Sequence, residues 1–309
     1  MTPRLTHARI VWMALIAALL IALPLALPSY HVSIATQILI FSVLAMSIDI
    51  LAGFAGRTPL CHGAIFGTSA YVVLYWTTVL GGGMWAGLIL GILAATLLAA
   101  VFALLAIRTS GVYFLLLTLA LGMIVWGVCL RWTGVTGGEN GIRGAGRPAF
   151  IAGYVSFYYA VLAVVAPLTF LMWRFVRSPF GLTLRGIRDS DSRMRSLGYN
   201  VPLHLFLAFL ASGFFAGVAG ALYALFNDFV SPSTVQLSQS VAALLMTITG
   251  GVGTLFGGII GAGAIIILEN TVSAFTARWP TVLGLTFVLI MIFAPEGVLG
   301  RILARRRHS

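Results

Sequence analysis

The feature that most constrains this chain is a succession of apolar runs near residues 10–28, 34–52, 63–80, 84–107, 112–130, 154–173, 204–226, 238–249, 257–271 and 281–294. A helix needs roughly 20 mostly apolar residues to cross the hydrocarbon core of a bilayer. Most of these runs approach that length, and the 309 residues leave room between them for short connections but little for a soluble domain. Only 8% of the residues are charged, against about 25% in an ordinary soluble domain. Such a chain cannot cover itself in water. The expected fold class is all-α: a polytopic membrane protein of about ten transmembrane helices, within a range of eight to ten, forming one domain over residues 1–309. The first run follows Arg4 and Arg9 as a signal peptide would, but it exceeds the roughly 7–15 apolar residues of such peptides and no small-x-small cleavage site follows. It reads as the first span.

Orientation follows from the arginines, because basic residues near span ends are retained on the cytoplasmic side. With ten spans and the N-terminus inside, 14 of the 18 basic residues fall inside, and only Arg131, Arg143, Arg147 and Arg278 outside (14 + 4 = 18). Both termini are therefore expected to be cytoplasmic. The net charge of +11 is explained by topology and not by nucleic acid, since the arginines sit singly between apolar runs instead of clustering on a polar face.

Several chemistries are excluded or unsupported. The chain contains no lysine, so a phosphate loop of the form G-x-x-x-x-G-K-[ST] is impossible and any ATPase must be a separate subunit. No strand precedes Gly250-Gly251-Val252-Gly253, as a dinucleotide site requires. Cys61 and His62 are adjacent, and two ligands do not make a metal site; interhelical hydrogen bonding explains His62 better. No G-x-S-x-G elbow marks a nucleophilic serine. No catalytic residue, metal or cofactor is expected.

Two Gly-interrupted segments, residues 53–67 and 250–263, occupy the two halves of the chain. Paired interruptions of this kind point to the central site of a transporter, so Gly53, Gly56, Thr58, His62, Gly63, Gly67, Gly250, Gly251, Gly253 and Thr254 are the candidate translocation pathway. The competing explanation is packing, because Gly63 and Gly67, Gly253 and Gly257, and Gly257 and Gly261 are spaced as G-x-x-x-G. Asp49, Arg57 and Glu269 are ionisable residues in or near spans, where charge is costly and a cavity or partner is expected. The inside loop of about residues 174–203 carries Leu184, Ile187, Met194 and Leu197 at helical spacings, with Arg185, Arg188, Asp189, Asp191 and Arg195 on the remaining face and Gly198 as a stop. It is the candidate docking element for an ATPase, through its apolar ridge and arginines.

At these residues the chain resembles the permease subunits of branched-chain amino acid ABC transporters, the LivM type in the LivM/LivH family. The matching stretches are DILAGFAGRTPLCHGAIFG from Asp49, YFLLLTLALG from Tyr113, TGGENGI from Thr136, SPFGLTLRGIRD from Ser178, LGYN from Leu197, FLASGFFAGVAGALYA from Phe209 and TGGVGTLFGGIIGA from Thr249. The resemblance implies a bacterial inner-membrane importer, with a second permease subunit of the LivH type, two cytoplasmic ATP-binding subunits and an external solute-binding protein. It also implies that Ser178 to Gly198 is the ATPase-coupling segment. The chain departs from the family pattern at Arg57, Pro59, Cys61 and Ser192 to Met194. These changes bear on the substrate more than on the mechanism, since relatives also carry amides, urea and other carboxylates. A reading from another class is an ion-coupled secondary carrier acting without an ATPase, and a third is a membrane scaffold or sensor.

Overall fold

The computed structural model describes residues 20–276 except 26, 145 and 149–150, and beyond them residues 281, 282, 284, 285, 288 and 297. Arg4, Arg9, Arg278, the C-terminal arginines and most of the first and tenth apolar runs lie outside the described residues. Among the described residues, the helices that build the bundle and its loop are α1 Ser29–Asp49, α2 His62–Leu74, α3 Met84–Ala106, α4 Gly111–Arg131, α5 Tyr154–Arg177, α6 Pro179–Asp189, α7 Asp191–Ser196, α8 Val201–Asn227, α9 Leu237–Gly250 and α10 Gly257–Ser273. One π turn prolongs α1 over Ile50–Phe54 and another prolongs α2 over Tyr75–Val79. Two short strands, β1 Ile142–Arg143 and β2 Phe229–Val230, pair antiparallel.

Among the described residues, five helices are long and apolar enough to cross a bilayer: α1 with its π turn (26 residues), α3 (23), α4 (21), α5 (24) and α8 (27). The all-α membrane architecture is thus as expected, while the two Gly-rich runs give shorter helices, α9 and α10. Burial separates two roles. The apolar windows of α1 and α8 are 78% and 72% buried and form the centre, whereas those of α3, α4 and α5 are 22–28% buried and form the rim. On the rim, Leu93, Leu97 and Leu104 of α3 and Leu116 and Ile124 of α4 face outward.

Hydrophobic burial cannot bring helices together in lipid, so close packing and hydrogen bonds must. Gly213 and Gly217 of α8 face Ala99 and Ala95 of α3, and a Cβ on Gly217 would stand 2.7 Å from that of Ala95. Hydroxyls cross to neighbouring backbones: Ser69 donates to the Gly217 carbonyl (2.7 Å), Thr247 to Ala45 (2.9 Å) and Ser212 to Ser47 (2.5 Å).

Two helices begin inside the thickness of the bundle. His62, the first residue of α2, is hydrogen-bonded through Nε2 to Ser212 Oγ at 2.7 Å. Ser212 stands eleven residues into α8, roughly 16 Å along its axis at 1.5 Å per residue, so α2 starts near mid-depth. An irregular stretch, residues 55–61, leads up to it, with the Leu60 N–H donating to Thr118 Oγ1 (3.0 Å). From the opposite end, β2 and a single turn over Pro232–Val235 lead down to α9. The Gly63 N–H then donates to Ser240 Oγ at 2.8 Å. The first turns of α2 and α9 therefore meet at mid-depth, and the two helices diverge to opposite ends of the bundle. Irregular backbone at this depth persists only where protein or a cavity satisfies it.

Candidate coupling and translocation site

The loop that follows α5 folds from clear local signals. Ser178 accepts from the Gly181 N–H (3.3 Å) with Pro179 at the first helical position, and Ser190 accepts from the Arg193 N–H (3.3 Å). Asn200 caps α8 by accepting from the Leu203 N–H (3.2 Å). Side chains of this kind supply acceptors to the orphan N–H groups of a helix start. Gly198 takes a left-handed φ of 86°, and the Tyr199 N–H closes back on the Met194 carbonyl at 3.1 Å, ending α7.

The apolar ridge of this loop does not face outward as an ATPase contact would require. Leu184, Ile187 and Met194 are buried against the bundle, and of the four ridge residues only Leu197 is exposed. An amphipathic helix lying on a membrane bundle lowers its free energy by burying that stripe at once, which leaves its polar face for a partner. Asp189, Arg193 and Arg195 lie on that exposed face.

Arg188 stays partly exposed, with Nε 3.5 Å from Asp189 Oδ1, and also reaches the chain's own backbone. Its Nη1 donates to the Gly53 carbonyl at 2.6 Å, and a Cβ on Gly56 would stand 2.6 Å from Arg188 Cγ. Arg185 lies over the Phe54 ring at 4.9 Å. Arg57 donates to Asp191 Oδ2 (2.8 Å) and to the Thr109 carbonyl (2.8 Å). Helices α6 and α7 are thus fastened to the π turn and bend at residues 50–57.

The same bend touches the second Gly-rich segment. Both Asp49 oxygens are occupied, Oδ1 by the Gly253 N–H (2.6 Å) and Oδ2 by the Leu255 N–H (2.8 Å). Gly251, Gly253 and Leu255 have φ of 116°, 81° and 56°, a sequence of turns that aims N–H groups into a concavity suited to an anion. Leucine in that conformation costs about 1–3 kcal/mol, offset here by charge-assisted bonds to a carboxylate that is 1% exposed. A Cβ on Gly53 would collide with the Gly253 backbone.

The candidate pathway residues therefore divide into two groups. Gly53, Gly56, Gly250, Gly251, Gly253 and Thr254 gather at the end of the bundle that carries α6 and α7, where Gly56 is exposed and Gly253 and Thr254 are partly so. His62, Gly63 and Gly67 are buried at and above mid-depth against Ser212, Ser240 and Val235, and the partly exposed Thr58 lies between the groups. Gly257 packs on Gly250, and Gly261 on the Met246 carbonyl, so this G-x-x-x-G pair does let α10 approach α9. Sequence reasoning did not single out Ser212, Thr109 or the stretch 232–240. The last had a signal, two glutamines opening an otherwise apolar run.

At the opposite end, the 131–153 connection is tied to the end of α8. Arg147 donates to the carbonyls of Leu225 (2.9 Å) and Phe226 (2.5 Å) and lies 4.1 Å above the Phe157 ring. Partial burial lowers its pKa from the usual arginine value, with Tyr154 and Asp228 acting in the other sense. Glu139 and Asn140 remain exposed beyond the β1–β2 pair.

The model of the family described as the permease component of branched-chain amino acid transport systems matches residues 30–295. The chain belongs to this family. Among its relatives is the high-affinity branched-chain amino acid transport system permease protein LivM of Salmonella typhimurium, 28% identical and covering 92% of this chain and 74% of that one. The LivM protein of Escherichia coli is 28% identical over 91% of this permease and 72% of its own length. The autoinducer 2 import system permease protein LsrC of Klebsiella pneumoniae is 28% identical over 59% of the chain and 55% of its own. A solved structure described as PsaBC from Streptococcus pneumoniae in complex with Fab aligns with a TM-score of 0.46 at 17% identity, covering 94% of this chain and 99% of that one. The family's members are transport permeases and not enzymes, in keeping with a chain in which no catalytic residues were expected.

Proposed function

We propose that this permease is the membrane-spanning subunit of an ABC importer in the bacterial inner membrane. It carries branched-chain or other small amino acids, or related small polar solutes. A second permease subunit of the LivH type, two cytoplasmic ATP-binding subunits and an external solute-binding protein complete the system. Helices α6 and α7 are the cytoplasmic coupling element, and the Glu139 end faces the binding protein.

The observation that carries this reading is the Arg188 to Gly53 bond. Gly53 in turn packs on Gly253, and Asp49 holds the 253–255 turn, so a displacement of α6 by a nucleotide-driven partner acts on both Gly-rich segments together. The pathway runs past these segments, with Gly53, Gly56, Thr58, Gly253 and Thr254 near its cytoplasmic mouth and His62, Gly63 and Gly67 supporting its waist.

Reconstitution into vesicles tests it. Uptake of radiolabelled leucine, isoleucine, valine, amides and short carboxylates should require the ATPase subunits, ATP and the binding protein. Flux by the chain alone, driven by an ion gradient, would replace this reading with that of a secondary carrier.

A further inference from the structure

Away from their ends, the outward faces of the rim helices are apolar: Trp85, Ile89, Leu93 and Leu97 on α3, Leu116 and Ile124 on α4, Val164 and Phe170 on α5. The start of α9 breaks this rule. Gln236 and Ser238 are exposed and Gln239 partly so, yet Ser240, one residue on, bonds the Gly63 N–H at mid-depth. Gln239 lies against the start of α2, where a Cβ on Gly63 would stand 3.1 Å from its own Cβ. Among the described residues, these side chains make one hydrogen bond, from Ser238 Oγ to Gln236 Oε1 at 3.5 Å, and the Gln236 side chain does not cap α9.

An amide at this depth with no partner loses its hydrogen bonds to water and gains none in hydrocarbon. Polar groups in spans accordingly face a water-filled cavity or a partner. Three polar side chains in four positions, on a face otherwise built like a lipid surface, call for water and solute rather than acyl chains.

We propose that Gln236, Ser238 and Gln239 form the polar wall of the translocation path at mid-depth. Their amides and hydroxyl offer both donors and acceptors to a small uncharged or zwitterionic solute while leaving the path without net charge. The proposal deepens the importer reading and rests on it. It assigns selectivity to the beginning of α9 rather than to the glycines, whose part is to let the two half-length helices meet.

The test uses the complete transport complex in membranes, with single Ser238→Cys, Gln236→Cys and Gln239→Cys substitutions and Leu93→Cys and Leu97→Cys as lipid-facing controls. Cys61 and Cys129 are buried and stay in place as a silent background. Ser238→Cys is the least perturbing, and co-purification of all subunits with ATP hydrolysis verifies each variant. A membrane-impermeant methanethiosulfonate should label the three α9 positions at least tenfold faster than the controls, and the rate should change between nucleotide-free and ATP-trapped states. Labelling no faster than the controls, in a complex that retains all subunits and ATP hydrolysis, would place this face against lipid or a partner helix and overturn the proposal alone. Absence of ATP-driven uptake by the unmodified complex would instead overturn the importer reading, and this inference with it.

Discussion

Asp49 stabilises the 253–255 turn with two backbone bonds, so its loss leaves the buried Leu255 N–H and the partly buried Gly253 N–H without acceptors. Each such group costs roughly 1–3 kcal/mol. Asp49→Ala should lower the melting temperature of the purified complex by several degrees, and Asp49→Asn, whose amide oxygen keeps one acceptor, by less. Equal melting of both variants and the parent in a thermal size-exclusion series would refute this structural role. Asp49 was legible in the sequence only as a costly charge near a span end; its partners, two hundred residues away, were not. Arg188 was read there as a docking residue, and its bond to the Gly53 carbonyl was not foreseen.

At the scale of elements, α6 and α7 are fastened to the bend after α1 by Arg188 and by the Arg57–Asp191 pair, whose side chains are 10% and 35% exposed. Arg188→Glu should abolish most ATP-driven uptake while leaving assembly intact, because the reversed charge would face a carbonyl and stand nearer Asp49. ATP hydrolysis that continues without uptake is the expected signature of uncoupling, and wild-type transport would remove Arg188 from the coupling path. For the second link, Arg57→Asp and Asp191→Arg should each impair uptake several-fold. The double exchange should restore part of it, since Arg57 also holds the Thr109 carbonyl and that bond is not recovered. Additive damage in this cycle would mean that the pair does not act as a unit.

The expectation that both termini are cytoplasmic rests on the arginine asymmetry and is open to direct test. Reporter fusions near Glu139 should be active only outside the cell, and fusions within residues 189–198 or after Ser309 only inside. The opposite pattern would invert the importer reading. The α3–α8 seam fixes the bundle by close approach: Gly217→Leu would force Ala95 and the Ile92 carbonyl away. It should reduce the yield of folded permease severely, whereas Leu97→Phe on the outward face should have little effect. Comparable expression of the two would show that the seam tolerates separation.

Apolar run length, charge bias and missing lysine were enough to establish a helical membrane protein without its own phosphate loop, because lipid admits few solutions for a backbone that must satisfy its hydrogen bonds internally. The apolar spacing of Leu184, Ile187 and Met194 and the stop at Gly198 were legible likewise, whereas the caps Ser178, Ser190 and Asn200 that begin α6, α7 and α8 came to light only in the structure. The glycines announced two interruptions, but their pattern was the same for a path and for packing. Pairing was settled by the packing of the folded chain. It joined the start of α2 to the start of α9 rather than to the Gly250 turn, sent the ridge of α6 inward, and left Gln236 to Gln239 on an outer face. Those outcomes depend on which surfaces remain uncovered once α1 and α8 take the centre, a property of the folded arrangement that no local spacing encodes.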